Sequence, residues 1–223
     1  MRFFRRLFPA LLVFLQLFLF SCDSYTQAVA SGMVVIIDAG HGGEDVGAVG
    51  VNGVFEKDIN LEISRMMRDE LAEKGYTVVL TRDDDRLLYT EEENIKGIRK
   101  ISDLKNRVKI FNSYESAVVV SIHMNTFSSS KYSGAQIYHS ESEESRLLAE
   151  RVRTSIKETL QPNNKRPLKP SSDIYILKNT TCPIILVECG FLSNPEECEK
   201  LSQKEYQKRL SFSIVCGIIK YME

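Results

Sequence analysis

Two of the chain's three histidines lie at the ends of apolar runs. His41 follows the run VVII through a glycine-rich turn, and His123 directly follows the run VVVSI. A third apolar run, IILV, ends at the carboxylate of Glu188. If these runs are parallel strands, their carboxyl ends meet at one rim, which is where α/β proteins bind ligands. Glu56, at the start of the first predicted helix, can return to the same rim.

Two imidazoles and one carboxylate, with one position left open, are a common ligand set of catalytic zinc. His41, Glu56 and His123 are therefore the candidate ligands for one Zn²⁺ ion per chain. Zinc polarises a carbonyl and acidifies a bound water, so an amide can be attacked near neutral pH. Glu188 is the candidate catalytic base, because a carboxylate beside that water can take its proton and pass it to the leaving amine.

The sequence gives less support for a catalytic or substrate-binding role of other residues near these runs. Asn125 and Arg82 could each position a substrate or be structural. His139 ends a strand-like run without a glycine turn or a nearby carboxylate, which favours a surface histidine. No nucleophile elbow surrounds Cys189 and no phosphate-binding glycine motif is present. A two-carboxylate glycosidase site would leave both rim histidines unexplained.

Short β-branched or aromatic runs predict strands, and they alternate with amphipathic helical patterns. The predicted strands are 33–37, 76–80, 117–122, 135–138 and 184–187. Apolar spacing predicts helices over 59–71, 101–111, 148–156 and 206–218, the first ending at Gly75. This alternation indicates an α/β fold with a largely parallel sheet.

Local signals also predict helix starts and loops. The predicted capping boxes are Ser140 with Glu143, Ser202 with Glu205, and Asn194–Pro195 closed by Glu197. Two segments interrupt the alternation, the charged stretch 83–100 and the proline-bearing stretch 160–172. Each could be a solvated loop or a substrate contact. The charge and length of 83–100 also suggest a lid or a docking site for a protein partner.

The first residues have the pattern of an export signal. Arg2, Arg5 and Arg6 precede an apolar run that is short for a membrane span. The run ends in LFSC, which resembles a bacterial lipobox with Cys22 as the acylated residue. An uncleaved N-terminal membrane anchor and plain secretion are the alternatives. Each predicts extracytoplasmic action, with an export segment 1–22, a linker 23–32 and a catalytic domain 33–223.

Composition excludes several classes of protein. The 223 residues are 43% hydrophobic and 26% charged, which suits a globular domain and rules out a disordered chain. The formal net charge of −1 argues against a nucleic-acid partner. The cysteines form no Cys-x-x-Cys pair, so free buried thiols are expected rather than a thiolate metal site.

Four segments resemble the signature blocks of the zinc-dependent N-acetylmuramoyl-L-alanine amidases: IIDAGHGGEDVGAVG, GVFEKDINL, SIHMN and LVECGFLSNPEE. The resemblance runs from about residue 33 to the C-terminus. It implies His41, Glu56 and His123 as zinc ligands and Glu188 as the catalytic carboxylate. It also implies a single α/β domain whose twisted sheet has helices on both faces, and peptidoglycan glycan strands with stem peptides as the substrate.

Further segments resemble the germination-specific branch of this family in spore formers: SDLKNRVKIFN, SGAQIYHS and SSDIYILKN. That resemblance implies cleavage of spore cortex peptidoglycan as a step towards muramic-δ-lactam, and it allows for an activating protein partner. The alternatives are a general vegetative wall amidase, a zinc peptidase that cuts within the stem peptide, and a non-catalytic wall-binding lipoprotein. The presence of all four site residues favours an enzyme over the last of these.

Overall fold

The computed structural model describes residues 32–223. The predicted export segment 1–22, which includes Cys22, and all but the last residue of the predicted linker 23–32 lie outside the described residues. Within 32–223, no helix combines the length and the apolar character needed to cross a membrane.

Strands and helices alternate along the described chain, as the sequence pattern predicts. They are β1 (Val34–Ala39), α1 (Glu56–Glu73), β2 (Thr77–Leu80), α2 (Arg99–Phe111), β3 (Ala117–Asn125), β4 (Gln136–His139), α3 (Glu143–Thr159), β5 (Lys169–Pro170), α4 (Tyr175–Asn179), β6 (Ile184–Phe191), α5 (Pro195–Leu201) and α6 (Lys204–Met222). Every predicted strand and helix is present. The short elements β5 and α4 fall in segments whose composition did not predict them.

The strands form one mixed, mostly parallel sheet in the order β2-β1-β3-β6-β4-β5. The first four strands in that order are mutually parallel, whereas β4 runs antiparallel to β6. No helix crosses over between β3 and β4, so the chain returns in the opposite direction. The predicted largely parallel sheet is therefore confirmed, with β4 and β5 reversed.

Helices cover both faces of the sheet, because successive residues of each strand point to opposite sides. On one side, Val35 and Ile37 of β1 join the core formed with α1, α3 and α6. On the other side, Ile36 joins a smaller core with α2 and α4. At the carboxyl ends of β1, β3 and β6, the side chains of His41, His123 and Glu188 are partly exposed.

Two of the predicted capping boxes are wrong. Helix α3 is capped by Ser142, whose hydroxyl accepts from the backbone N–H of Ser145 at 3.1 Å, and not by Ser140. Helix α6 begins after Gln203 without a side-chain cap. The hydroxyl of Ser202 instead donates to the Cys198 carbonyl at 2.7 Å, because α5 ends there.

At the third predicted helix start, that of α5, the N-cap role of Asn194 is confirmed, whereas the prediction that Glu197 closes a capping box is wrong. The side chain of Asn194 accepts from the backbone N–H of Glu197 at 3.0 Å, as expected of an N-cap. The carboxylate of Glu197 does not close the box. It is buried and accepts from the N–H groups of Phe191 at 2.8 Å and Gly134 at 2.7 Å. It therefore joins the end of β6 to the start of β4.

A buried arginine lies beneath the loop that follows β1. The guanidinium of Arg107 on α2 pairs with Asp38 (Nη1–Oδ1 2.5 Å) and Asp103 (Nε–Oδ2 2.8 Å). It also donates to the carbonyl oxygens of Ala39 at 2.8 Å and His41 at 2.9 Å. Burial disfavours the charged form, but the two carboxylates raise the pKa of Arg107 beyond its ordinary value. The ion pair therefore joins α2, β1 and the loop.

Replacing this cation should destabilise the whole domain. Arg107→Met leaves Asp38 and Asp103 buried without an opposing charge, so we expect a loss of about 3 to 5 kcal/mol in the free energy of unfolding. Urea denaturation measures this loss. Arg151→Met on α3, where the side chain is exposed, is the control and should change the midpoint little. Wild-type stability in Arg107→Met would contradict this role.

Candidate metal centre and active site

The loop after β1 places His41 at the rim in an unusual backbone conformation. His41 has a φ of +61°, the left-handed region that side chains other than glycine rarely adopt. The carbonyl contact with Arg107 holds this conformation from below. The ring Nδ1 bonds Asp45 Oδ2 at 2.8 Å, which leaves Nε2 to face the rim. A carboxylate on the outer nitrogen is the usual way in which proteins orient a metal-binding histidine.

Glu56, the first residue of α1, is buried and almost fully hydrogen-bonded. Its Oε2 accepts from the backbone N–H of Ala48 at 2.7 Å. Its Oε1 accepts from the backbone N–H of Met124 at 3.0 Å and from the amide of Asn60 at 3.3 Å. These donors come from the loop, from β3 and from the next turn of α1, so the carboxylate is held in one position.

The structure brings the three predicted ligands together. Glu56 Oε1 lies 3.2 Å from His41 Nε2 and 3.0 Å from His123 Nδ1. One ligand atom from each residue lies within 4.8 Å of the others, so the group could hold a metal ion. Ligands about 2.0 Å from a tetrahedral ion lie roughly 3.3 Å apart, which is close to the two distances from Glu56 to the histidine nitrogens. The donor set and its spacing therefore fit a small divalent cation.

Two glycines of the first sequence block allow the loop to approach the ligands. A Cβ on Gly40 would lie 2.3 Å from the ring of His123. A Cβ on Gly47, where φ is +67°, would lie 2.5 Å from Glu56 Oε2. Any side chain at either position would displace a candidate ligand, so both glycines are required by close approach, and Gly47 also by its positive φ.

The candidate ligands carry opposite charges in the metal-free protein. Burial alone would lower the pKa of His41, but hydrogen bonds to Asp45 and Glu56 raise it to about 9. Burial likewise opposes ionisation of Glu56, yet hydrogen bonds from His123 and His41 hold the pKa of that carboxyl well below its usual range. A protonated His41 thus compensates the buried carboxylate until a cation replaces the proton.

Glu188 lies next to the candidate ligands, but its carboxyl is not held by hydrogen bonds as that of Glu56 is. Its Cα pairs with that of His123 across β3 and β6, so both side chains leave the same face of the sheet. Its Oε2 is buried and has no hydrogen-bond partner within residues 32–223. Burial, assisted by the charge of Glu56, raises the pKa of Glu188 to about 7, although the charges of His123 and His41 oppose the shift. Such a carboxyl can both accept and donate a proton near neutral pH.

Arg82 lies beneath the loop and away from any open surface. Its guanidinium is buried and donates to the carbonyls of Ala39 and Gly40 at 3.0 Å each, and of Lys57 at 2.8 Å. Burial, together with the charge of Arg107, lowers the pKa of Arg82 to about 10. Of the two roles that the sequence left open, this placement favours the structural one.

Asn125 lies close to the candidate ligands, whereas His139 lies away from them. Asn125 lies two residues beyond His123 on β3, on the same side of the sheet as the candidate ligands. His139 is buried, so the predicted surface position is wrong. Its Nδ1 bonds the Ser140 carbonyl at 2.7 Å, and its Cα pairs with Ile185, further from the rim than Glu188. The antiparallel direction of β4 removes His139 from the site.

The charged stretch 83–100 packs beside the site. It contains one turn of 3-10 helix, Glu91–Glu93. At its end, Arg99 pairs with Glu44 at 2.6 Å, and Lys100 lies 3.2 Å from the Asp45 carboxylate that orients His41. The segment is thus in contact with the His41 loop, and its roles as a lid or docking site remain predictions.

Sequence reasoning did not identify Asp45 or Arg107 as parts of the site. Asp45 lies four residues after His41 in the same block, and Arg107 lies four residues after Asp103 on the buried side of α2. An acid close after a candidate histidine ligand, and an arginine on an apolar helix face, are signals that could have indicated them.

Metal binding should depend steeply on pH. A histidine ligand must lose its proton before it binds a cation. Since the pKa of His41 is about 9, apparent affinity should rise with pH up to that value and then level off. The expected slope is about tenfold per pH unit. Competition between the protein and a chelator for Zn²⁺, corrected for the titration of the chelator, measures this. Constant affinity between about pH 7 and 9 would contradict it.

Glu188 should reduce the stability of the metal-free protein at alkaline pH. Its pKa is about 7 when folded against an ordinary 4.5, so the folded state binds the proton more tightly. Stability contributed by this group is therefore present below about 4.5 and lost as the pH rises through about 7. Glu188→Gln should gain about 2 to 3 kcal/mol relative to wild type between pH 5 and 8.

Urea denaturation in the presence of a chelator measures this gain at each pH. Glu115→Gln, an exposed loop position, is the matched control and should show no pH-dependent difference. A Glu188→Gln difference that stays constant across this pH range would contradict the raised pKa of the Glu188 carboxyl.

Comparison with known proteins agrees with this geometry. A family model described as N-acetylmuramoyl-L-alanine amidase matches residues 35–220. The germination-specific N-acetylmuramoyl-L-alanine amidase of Bacillus subtilis (strain 168) is 40% identical over 192 residues, covering 86% of this chain and 80% of that protein. The uncharacterized protein YqiI of the same strain is 38% identical over 212 residues and 94% of each chain.

Solved structures show the same likeness. The CwlD amidase from Clostridioides difficile, in complex with the GerS lipoprotein, matches with a TM-score of 0.82 and 41% identity, over 85% of this chain and 98% of that one. The amidase AmiC2 of Nostoc punctiforme matches with a TM-score of 0.73 and 32% identity, over 85% and 96%. The chain therefore belongs to the N-acetylmuramoyl-L-alanine amidase family, as its four sequence blocks predicted, and is similar to germination-specific members.

Proposed function

We propose that this chain is a zinc-dependent enzyme that cleaves the amide bond between N-acetylmuramic acid and L-alanine in peptidoglycan. The observation that carries the proposal is Glu188, whose buried Oε2 has no partner within residues 32–223 and lies beside the three candidate ligands. An unpaired buried carboxyl is unfavourable for folding, so its presence at this rim requires another reason. Proton transfer during catalysis is that reason.

In the proposed mechanism, His41, Glu56 and His123 would hold one Zn²⁺, which would supply Lewis acidity towards the amide carbonyl and water. Glu188 takes the proton of the attacking water, and it then delivers that proton to the nitrogen of L-alanine as the C–N bond breaks. Asp45 keeps the outer nitrogen of His41 engaged, so the ring does not rotate during the reaction. Asn125, on the site side of β3, contacts the substrate.

The biological setting is also part of the proposal. Similarity to a germination-specific amidase supports spore cortex peptidoglycan as the substrate, as a step towards muramic-δ-lactam. The predicted export segment supports action outside the cytoplasm, with attachment to the membrane through an acylated Cys22 or an uncleaved anchor. The CwlD structure contains a lipoprotein partner, which supports an activating protein partner for this chain.

Product analysis tests this function directly. The purified protein is incubated with cortex and with vegetative peptidoglycan, with zinc or with a chelator, and the products are identified by mass spectrometry. Intact stem peptides that begin at L-alanine and appear only with zinc are expected, with the cortex material cut faster. Fragments cut within the stem would indicate a peptidase instead. A zinc-loaded protein that releases nothing, both alone and with a lipoprotein partner of the GerS type added, would contradict the amidase.

Glu188→Gln separates metal binding from catalysis. The variant should retain one zinc per chain but lose roughly 10²- to 10⁴-fold in turnover, because no group remains to move the proton. His41→Ala and His123→Ala should instead lose the metal, which a zinc assay on purified protein measures. Glu115→Gln is the control and should behave as wild type. Retained turnover in Glu188→Gln would exclude the assigned base.

A further inference from the structure

Arg166, in the loop between α3 and β5, places its guanidinium against two aromatic rings. Its guanidinium carbon lies 4.4 Å from the ring centroid of Phe191 and 5.6 Å from that of Tyr132. Its Nε donates to the Ser133 carbonyl at 2.8 Å. The two aromatic contacts and the single hydrogen bond fix the plane of the guanidinium, as expected of an arginine stacked on aromatic rings.

The two terminal nitrogens of Arg166 are not used by the fold. Neither makes a hydrogen bond or an ion pair with any group in residues 32–223, and the side chain is partly exposed. By contrast, the guanidinium nitrogens of Arg82 and Arg107 all donate to groups of the protein. A fixed fork of free donors is suited to bidentate binding of a carboxylate.

Strand pairing places this fork on the face that carries the catalytic residues. Phe191 pairs with Asn125, and Glu188 pairs with His123, across the β-bulge between β3 and β6. Asn125 and His123 are two residues apart, so their side chains leave the same side of the sheet. Three residues of strand separate Phe191 from Glu188, a distance of roughly 10 Å.

A ligand can reach Arg166 through an open cleft. Arg166 and Tyr132 line this cleft, whose volume of about 970 Å³ has room for several residues of a peptide. The candidate metal ligands and Glu188 do not line it, so a peptide in the cleft would approach them past the end of β6. Tyr138, which pairs with Leu186 beside Glu188, has its pKa raised by burial and by the charge of Glu188, and lowered by that of Arg166.

Resting on the proposed amidase function, we infer that Arg166 determines specificity by binding a carboxylate of the stem peptide. The residue after L-alanine in the stem is D-glutamate linked through its γ-carboxyl, so its α-carboxylate is free. Two extended residues span roughly 7 Å, which is comparable with the roughly 10 Å of strand between Glu188 and Phe191, the residue on which Arg166 stacks. The leaving peptide thus extends from Glu188 along β6 towards Arg166.

Two soluble muropeptides that differ only at this group test the inference. One carries the free α-carboxylate and the other carries its amide. Arg166→Gln should lower kcat/KM for the acid roughly 10- to 100-fold, mainly through KM, because a charge-assisted pair is lost. The amide should be cleaved with little change, and wild type should prefer the acid. Arg166→Lys should recover part of that preference, and Lys165→Gln, the exposed neighbouring cation, should leave it unaltered.

Equal losses on both muropeptides would overturn the inference and assign Arg166 a structural role. Binding distinguishes this result from a failure of the proposed function, in which wild type cleaves neither compound. The same muropeptides are titrated into Glu188→Gln and into the Glu188→Gln, Arg166→Gln double variant. Tighter binding of the acid that disappears in the double variant supports the inference, and equal affinities for acid and amide in Glu188→Gln contradict it.

Discussion

The His41 loop adopts a backbone conformation that its own residues do not favour, and the buried ion pair of Arg107 with Asp38 and Asp103 holds it there. A residue other than glycine at a φ of +61° persists only where its surroundings fix it. Arg107 and Arg82 supply that constraint through the carbonyl oxygens of three consecutive residues, 39 to 41. Because β1, α2 and the loop all meet at this pair, the position of the first ligand depends on the packing of the domain.

The two glutamates of the site show how the same fold assigns different chemistry to identical side chains. Glu56 receives backbone and side-chain donors on both oxygens, and it stays ionised as a fixed ligand candidate. Glu188 lies beside it with a buried oxygen that no described group satisfies, and its pKa rises to about 7. Hydrogen bonding therefore separates a carboxyl that stays ionised from one whose pKa lies near neutral pH.

Sequence predicted the strands and the main helices, and it singled out the four residues that the structure brings together at the rim, because each is indicated by a short local pattern or by a family block. It did not predict that His139 is buried, that Arg82 supports the loop from below, or that Glu197 joins Phe191 to Gly134. Each of these depends on which distant backbone group the fold brings to a side chain. A capping-box spacing cannot show that another donor lies closer, and an apolar run cannot show that β4 is reversed.

The central claim is that the metal-free protein already holds its ligands in place, with Glu188 facing the open position. A crystal structure of the zinc-loaded protein, with the ion located by anomalous scattering, tests it most directly. The account predicts one ion per chain bound by His41, Glu56 and His123, an open position towards Glu188, and a loop backbone that has not moved. An ion bound elsewhere, or bound only after the His41 loop has rearranged, would contradict it.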